Sequence, residues 1–146
     1  QEMVTDFITG RLEAAGATAV DQRNVRDRTY GSIKHLESRI LFSSKADEST
    51  WLQELHPTPA VGGTPRESAL KFIADHEREE REYYTGFLGW SEEETSSFYV
   101  NLRCMACFSD GFRLFAGGGI VSGSDAQEEW EETRAKIETI RTTLNR

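Results

Sequence analysis

Cysteine is scarce: this chain of 146 residues holds two thiols, Cys104 and Cys107. Their Cys-Met-Ala-Cys spacing invites a zinc or redox reading. A zinc site needs two further ligands at fitting spacing, and the sequence offers none. The pair falls in an apparent strand, where positions three apart point to opposite faces. Two small packing residues in a reducing cytosol account for them. Long apolar runs are also lacking, so no segment reads as a transmembrane helix. No secretory signal is visible, and a cytoplasmic location is expected. Positive charge is in deficit, with 17 Lys and Arg against 25 Asp and Glu and a formal net charge of -8. That balance speaks against nucleic acid or an anionic membrane as the main partner, while leaving room for a small anion beside a local cationic group. The glycine run at 116–120 is neither GxGxxG nor a P-loop, so no nucleotide is signalled. No Ser/His/Asp or Cys/His arrangement is legible. His35 and His56 each lack a second histidine at ligand spacing.

What is present is a globular composition, 37% hydrophobic and 29% charged, enough for one domain over residues 1–146. Met3, Val4, Phe7, Ile8, Leu12 and Ala15 recur at helical spacing, with Gly16 as the stop. The helical pattern is already running at the first residue, which suggests a boundary cut inside a helix. Ser32–Ser43 alternates as a strand, and Glu48–Leu55 reads as a short helix. A Pro/Gly-rich loop follows at His56–Gly63. Thr64, Pro65 and Glu67 then make a capping box for another helix, whose apolar stripe includes Leu70 and Ile73. The charged run Asp75–Glu82 reads as a solvated helix end. Strands are expected at Tyr83–Trp90, Ser97–Phe108 and Phe112–Ile120, in a meander. A last helix begins near Asp125, with overlapping capping boxes from Ser124 and Asp125, and runs to about Leu144. The class is α+β, a mainly antiparallel sheet with helices packed on one face. No internal repeat or low-complexity linker is visible.

Three places carry candidate chemistry. Arg103 falls mid-strand on the face shared with Tyr99 and Asn101, opposite an apolar face running from Phe98 to Phe108. An arginine so placed suits bidentate capture of a carboxylate, against the plainer reading of an exposed or ion-paired side chain. On the last helix, Trp130, Thr133, Ile137 and Ile140 form the inward stripe, and Glu129, Glu132 and Lys136 share a face along its edge. Two carboxylates one turn apart could hold a hard cation such as magnesium; the plainer reading is an ordinary surface Glu–Lys pair. The Ala116–Ile120 stretch allows close backbone approach to a ligand, or is simply a tight turn.

Taken in order, the pieces form a specific set. They are His35-Leu36, His56-Pro57-Thr58-Pro59-Ala60, Gly86-Phe87-Leu88-Gly89-Trp90 and Leu102-Arg103-Cys104, then Ala116–Ser124, Glu129–Thr133 and Lys136. The set resembles the C-terminal half of the chorismate-binding enzymes, and the resemblance covers nearly the whole chain. The His-Pro-Thr-Pro-Ala loop is similar to the isochorismate synthase branch, since the aminating and salicylate-forming branches usually carry Thr or Ser where Ala60 stands. Gly62 departs from the Ser or Thr frequent in relatives. The resemblance implies that Tyr84 and Arg103 bind the enolpyruvyl carboxylate of chorismate, with backbone amides around Gly117 in the same region. His35 would meet the ring side. Glu132 would ligate Mg2+ directly, Glu129 directly or through water, and Lys136 would neutralise charge in the same site. The implied reaction is isomerisation of chorismate to isochorismate, the hydroxyl moving from C4 to C2. Its general base lysine, its general acid glutamate and a further magnesium-binding glutamate are expected N-terminal to these residues. The chain is therefore expected to be a half-site that binds chorismate weakly, turns none over, and self-associates through exposed apolar surface. The rival expectations are another chorismate-utilising enzyme (a salicylate, anthranilate or aminodeoxychorismate synthase) and a non-catalytic binding module.

Overall fold

The helical stripe at the start of the sequence becomes α1, Glu2–Ala14, in a computed structural model that describes residues 2–30 and 33–144, and only the backbone of 22–30 and 33–36. Gly16 ends α1 at φ 85°, a left-handed conformation that glycine adopts without Cβ strain. The Ala17 amide bonds back to the Leu12 carbonyl at 2.9 Å and the Gly16 amide to Glu13 at 3.0 Å. Together they form a Schellman stop that satisfies the last carbonyls.

The chain then enters β1 (Thr18–Tyr30), antiparallel to β2 (Ile33–Ser43). Sequence reading finds β2 but not β1. The segment Asp21-Gln22-Arg23-Asn24-Val25-Arg26-Asp27-Arg28 carries no alternating apolar stripe, and the ladder has register shifts at Thr18/Asp21 and Arg23/Arg26. Its pairing comes from the partner strand, not from its own pattern.

Helix α2 spans Glu48–Leu55, as its sequence predicts. Asp47 caps it, accepting from the Thr50 amide at 2.9 Å, the Thr50 hydroxyl at 2.8 Å and the Ser49 hydroxyl at 2.9 Å. These donors hold its carboxyl below the usual range, the Thr50 amide foremost. The predicted loop at 56–63 contains a single turn, α3 (Pro59–Gly62). Helix α4 covers Arg66–His76, with the Pro65 carbonyl accepting from Ala69. The helix thus starts later than a Thr64 cap predicts. Arg66 donates to the carbonyls of Glu54 at 3.3 Å and His56 at 2.5 Å, so a cation closes the C-terminal end of α2.

Beyond α4, strand β3 (Phe87–Ser91) pairs with β4 (Ser96–Val100), and β5 (Cys104–Phe108) with β6 (Gly111–Phe115). The α+β class and the antiparallel pairing hold, but the expected meander divides. The strand predicted over Ser97–Phe108 breaks at residues 101–103, because its two halves pair with different neighbours. Among the described residues the strands form three two-stranded sheets. The face predicted as core is open in places: Leu102 is 49% and Phe108 50% exposed. Helix α5 (Ala126–Leu144) closes the chain and touches β6.

The described residues fall into two units, 1–71 and 72–146. In the first, α1 packs on α2, α3 and the β1–β2 ribbon, with Leu12 1% exposed at its centre. In the second, Ile140 is the buried hydrophobic residue. Leu12→Ala is expected to lower the unfolding free energy by about 3 kcal/mol, the lost transfer energy plus a cavity. Urea unfolding of the chain measures it, and a loss below about 1 kcal/mol would mean that Leu12 does not anchor this core.

Candidate functional site

The candidate residues of unit 2 converge on the glycine loop between β6 and α5. Asp125 caps α5, accepting from the Gln127 and Glu128 amides at 3.0 Å each. The neighbouring Ser124, predicted as a second cap, does something else. Its hydroxyl accepts from the Val121 amide at 3.1 Å and donates to Glu129 Oε1 at 2.6 Å. Glu129 is thereby held half-buried in the first turn of α5, where the helix N-terminus favours a carboxylate. The inward stripe shifts accordingly: Glu129, Thr133, Lys136 and Ile137 are partly buried, while Trp130 is 58% exposed. Sequence reading put Trp130 inside because it weighted hydrophobicity over helix phase.

One turn on, Glu132 pairs with Lys136, Oε1 to Nζ 2.6 Å, with Glu132 60% and Lys136 22% exposed. Lys136 also donates to the Gly117 carbonyl at 3.1 Å. The hydrogen bond from Lys136 and its charge hold the Glu132 carboxyl below the usual carboxylate range, and the Arg103 guanidinium adds a smaller pull. Arg103 therefore lies within electrostatic reach of Glu132. It does so from the bend between β4 and β5, half-buried and at φ 49°, and not from mid-strand. A non-glycine residue in this region is costly and is held by its surroundings.

Tyr84 also reaches the loop. Its ring stacks on Phe115, centroids 5.8 Å apart. Burial pushes its phenol above the usual value. A Cβ placed on Gly117 would lie 2.8 Å from the Tyr84 hydroxyl, and one on Gly118 would lie 3.2 Å from Glu129 Oε2. A side chain at either position would have to displace the end of Tyr84 or Glu129, which favours glycine at both. A cavity of about 400 Å³ lies beside Tyr84, with Asn101, Cys104 and Phe115 in its wall.

Tyr84, Arg103, Gly117, Glu129, Glu132 and Lys136 are thus brought together. The other two predicted residues lie in unit 1. Ala60 is exposed on α3. His35 stands opposite Arg28 in the β1–β2 register, and its side chain is outside the described residues. Gly62 is buried, and a Cβ there would meet Pro57 at 3.0 Å, which accounts for glycine at this position. Ser124 and Asn101 are the contributors that sequence reading missed as site residues. A serine five residues before an inward glutamate, across a helix cap, is the signal that could have found the first.

Two carboxylates, one pinned by a hydroxyl and one kept ionised, fit a hard divalent cation that takes its remaining ligands from water and substrate. Among the described residues no group of three or more His, Cys, Asp or Glu forms a fuller metal site. The two free thiols contribute none: Cys104 is half-buried and Cys107 exposed.

Carboxylates beside a lysine, an arginine and close backbone are groups able to hold a small anion together with a cation. The comparison with known families makes that class specific: the family model described as "Chorismate binding enzyme" matches residues 1–145. The chain belongs to the chorismate-binding enzymes. It is 43% identical over 143 residues to isochorismate synthase MenF of Escherichia coli K12, covering 97% of this chain and 33% of that protein. It is 48% identical over 88 residues to the vibriobactin-specific isochorismate synthase of Vibrio cholerae, covering 60% of this chain and 22% of that one. Among solved structures, a Bacillus anthracis protein, DhbC, assigned as a 2,3-dihydroxybenzoate-specific isochorismate synthase, superposes with a TM-score of 0.89 at 30% identity. That match covers 99% of this chain and 40% of the other. The chain spans about a third of the length of MenF, 33%. Among the described residues no helix is long and apolar enough to cross a membrane.

Proposed function

We propose that the protein to which these residues belong interconverts chorismate and isochorismate with Mg2+. The observation that carries the reading is the convergence of Tyr84, Arg103, Glu129, Glu132 and Lys136 about Gly117–Gly118, in a chain matched over 97% of its length by an isochorismate synthase. Arg103 and the Tyr84 hydroxyl take the enolpyruvyl carboxylate, with amides of the glycine loop beside them. Glu132 and Glu129 hold Mg2+, which when bound anchors and polarises the ring carboxylate. Lys136 balances the carboxylates, and Ser124 keeps Glu129 aimed at the loop. The reaction removes the C4 hydroxyl, protonated by an acid, and adds water at C2, deprotonated by a base on the opposite face. These residues bind and orient the substrate. The lysine base and glutamic acid belong to the remainder of the full-length protein.

The test is product identification by chromatography after incubating the full-length protein with chorismate and Mg2+. Isochorismate alone is expected. Salicylate with pyruvate, or an aminated product when ammonia is supplied, would keep the family and overturn this branch. The 146-residue chain by itself is expected to form no product above background, and sustained turnover by it would place the acid and base inside it.

A further inference from the structure

The turn that carries Tyr84 sits in an unfavourable backbone conformation. Residues 82–86 lead into β3, and two non-glycine members have positive φ, Glu82 at 49° and Thr85 at 64°. Such a turn persists only where neighbours hold it. Within and beside the turn, the Tyr84 amide bonds to the Arg81 carbonyl at 2.7 Å, the Gly86 amide to Tyr83 at 3.1 Å and the Thr85 hydroxyl to the Tyr84 carbonyl at 2.6 Å, while Arg81 donates to the Thr85 hydroxyl at 3.2 Å and Arg113 to Glu82 at 3.0 Å.

One residue across the hairpin adds three further bonds. The Asn101 carbonyl accepts from the Thr85 amide at 2.9 Å, and the Asn101 amide donates to the Gly86 carbonyl at 2.8 Å. The Asn101 side chain donates from Nδ2 to the Tyr83 carbonyl at 2.9 Å. The first two bonds would survive any side chain at this position. The third requires a donor of this reach, and it fixes the peptide plane directly before Tyr84. Asn101 also opens the bend that ends at Arg103, where φ is 49°. One residue therefore ties the tyrosine turn to the arginine bend.

We infer that Asn101 is a positioning residue: its side-chain amide sets the peptide before Tyr84 and so holds the phenol hydroxyl against Gly117. The inference rests on the reading of Tyr84 as a substrate contact. It assigns Asn101 no contact with substrate.

The test is a double-mutant cycle in the full-length protein, with steady-state kinetics on chorismate and thermal melts of every variant. Asn101→Leu and the isosteric Asn101→Asp both remove the donor, and Asp serves if the leucine variant does not fold. Either is expected to raise KM about fivefold, the loss of one ordinary hydrogen bond, with kcat changed less than about twofold. On a Tyr84→Phe background the same change is expected to move KM by less than about twofold, because its effect passes through the lost hydroxyl. Multiplying effects in the double variant, or an unchanged KM in both single variants, would overturn the assignment of Asn101. An unchanged KM in Tyr84→Phe itself would overturn the reading of Tyr84, and any KM rise in the Asn101 variants would then mean that Asn101 acts by another route.

Discussion

Arg103→Gly in the full-length protein is expected to raise KM for chorismate by about a hundredfold, the loss of a paired charge-assisted interaction with a carboxylate. The melting temperature is expected to stay within about 3 °C of the parent or rise, because glycine adopts φ 49° without strain whereas arginine does not. That opposition of effects is the diagnostic. A residue kept for structure loses stability when it is removed; one kept for binding in a strained conformation loses affinity alone. Arg103→Lys keeps the charge but not the planar fork, so it is expected to recover only part of the affinity. Steady-state kinetics and differential scanning fluorimetry on the same samples decide the matter. A melting temperature lowered in step with the affinity would make Arg103 a structural ion-pair residue with Glu132.

The position of Arg103 also marks where sequence reading stops. An apolar residue stands at every second position from Phe98 to Phe108, so the hydrophobic period describes one long strand. The bend exists because β4 pairs with β3 and β5 with β6, a choice of partners that local pattern does not encode. For the same reason β1 escapes notice: its sequence carries no alternating apolar stripe, and its pairing is set by β2. Elements whose signals are local read well. The Asp125 cap marks the start of α5, and Gly16 marks the end of α1. The site residues of unit 2 were legible as an ordered set of motifs. Their mutual placement was not, because Asn101 bonds to a turn distant in sequence and the Ser124 hydroxyl goes to Glu129 in place of capping the helix, choices that local pattern does not encode. Helix phase alone would have exchanged Trp130 for Glu129, had the carboxylate been allowed inside.

The carboxylates of α5 lead to the second large effect. Glu132→Gln in the full-length protein is expected to weaken Mg2+ binding, followed by isothermal titration calorimetry, by about a hundredfold, since a neutral amide is a poor ligand for a hard cation. Activity is expected to fall by about a thousandfold as the substrate loses both its anchor and its polarisation. Glu129→Gln should be milder, about tenfold, because the Ser124 hydroxyl can still donate to the amide oxygen and keep the side chain oriented. The acid limb follows from the same contacts. Lys136 and, more weakly, Arg103 keep Glu132 ionised below the usual carboxylate range, so the proposed cation binding through Glu132 is expected to persist as pH falls until that lowered value is reached. Lys136→Met removes the larger influence and is expected to move the loss of binding to higher pH. Chelation of the parent protein with EDTA should abolish turnover, and added Mg2+ should restore it. Retention of Mg2+ binding in Glu132→Gln at the parent level would remove Glu132 from the metal site and leave its pair with Lys136 as a surface contact of the helix.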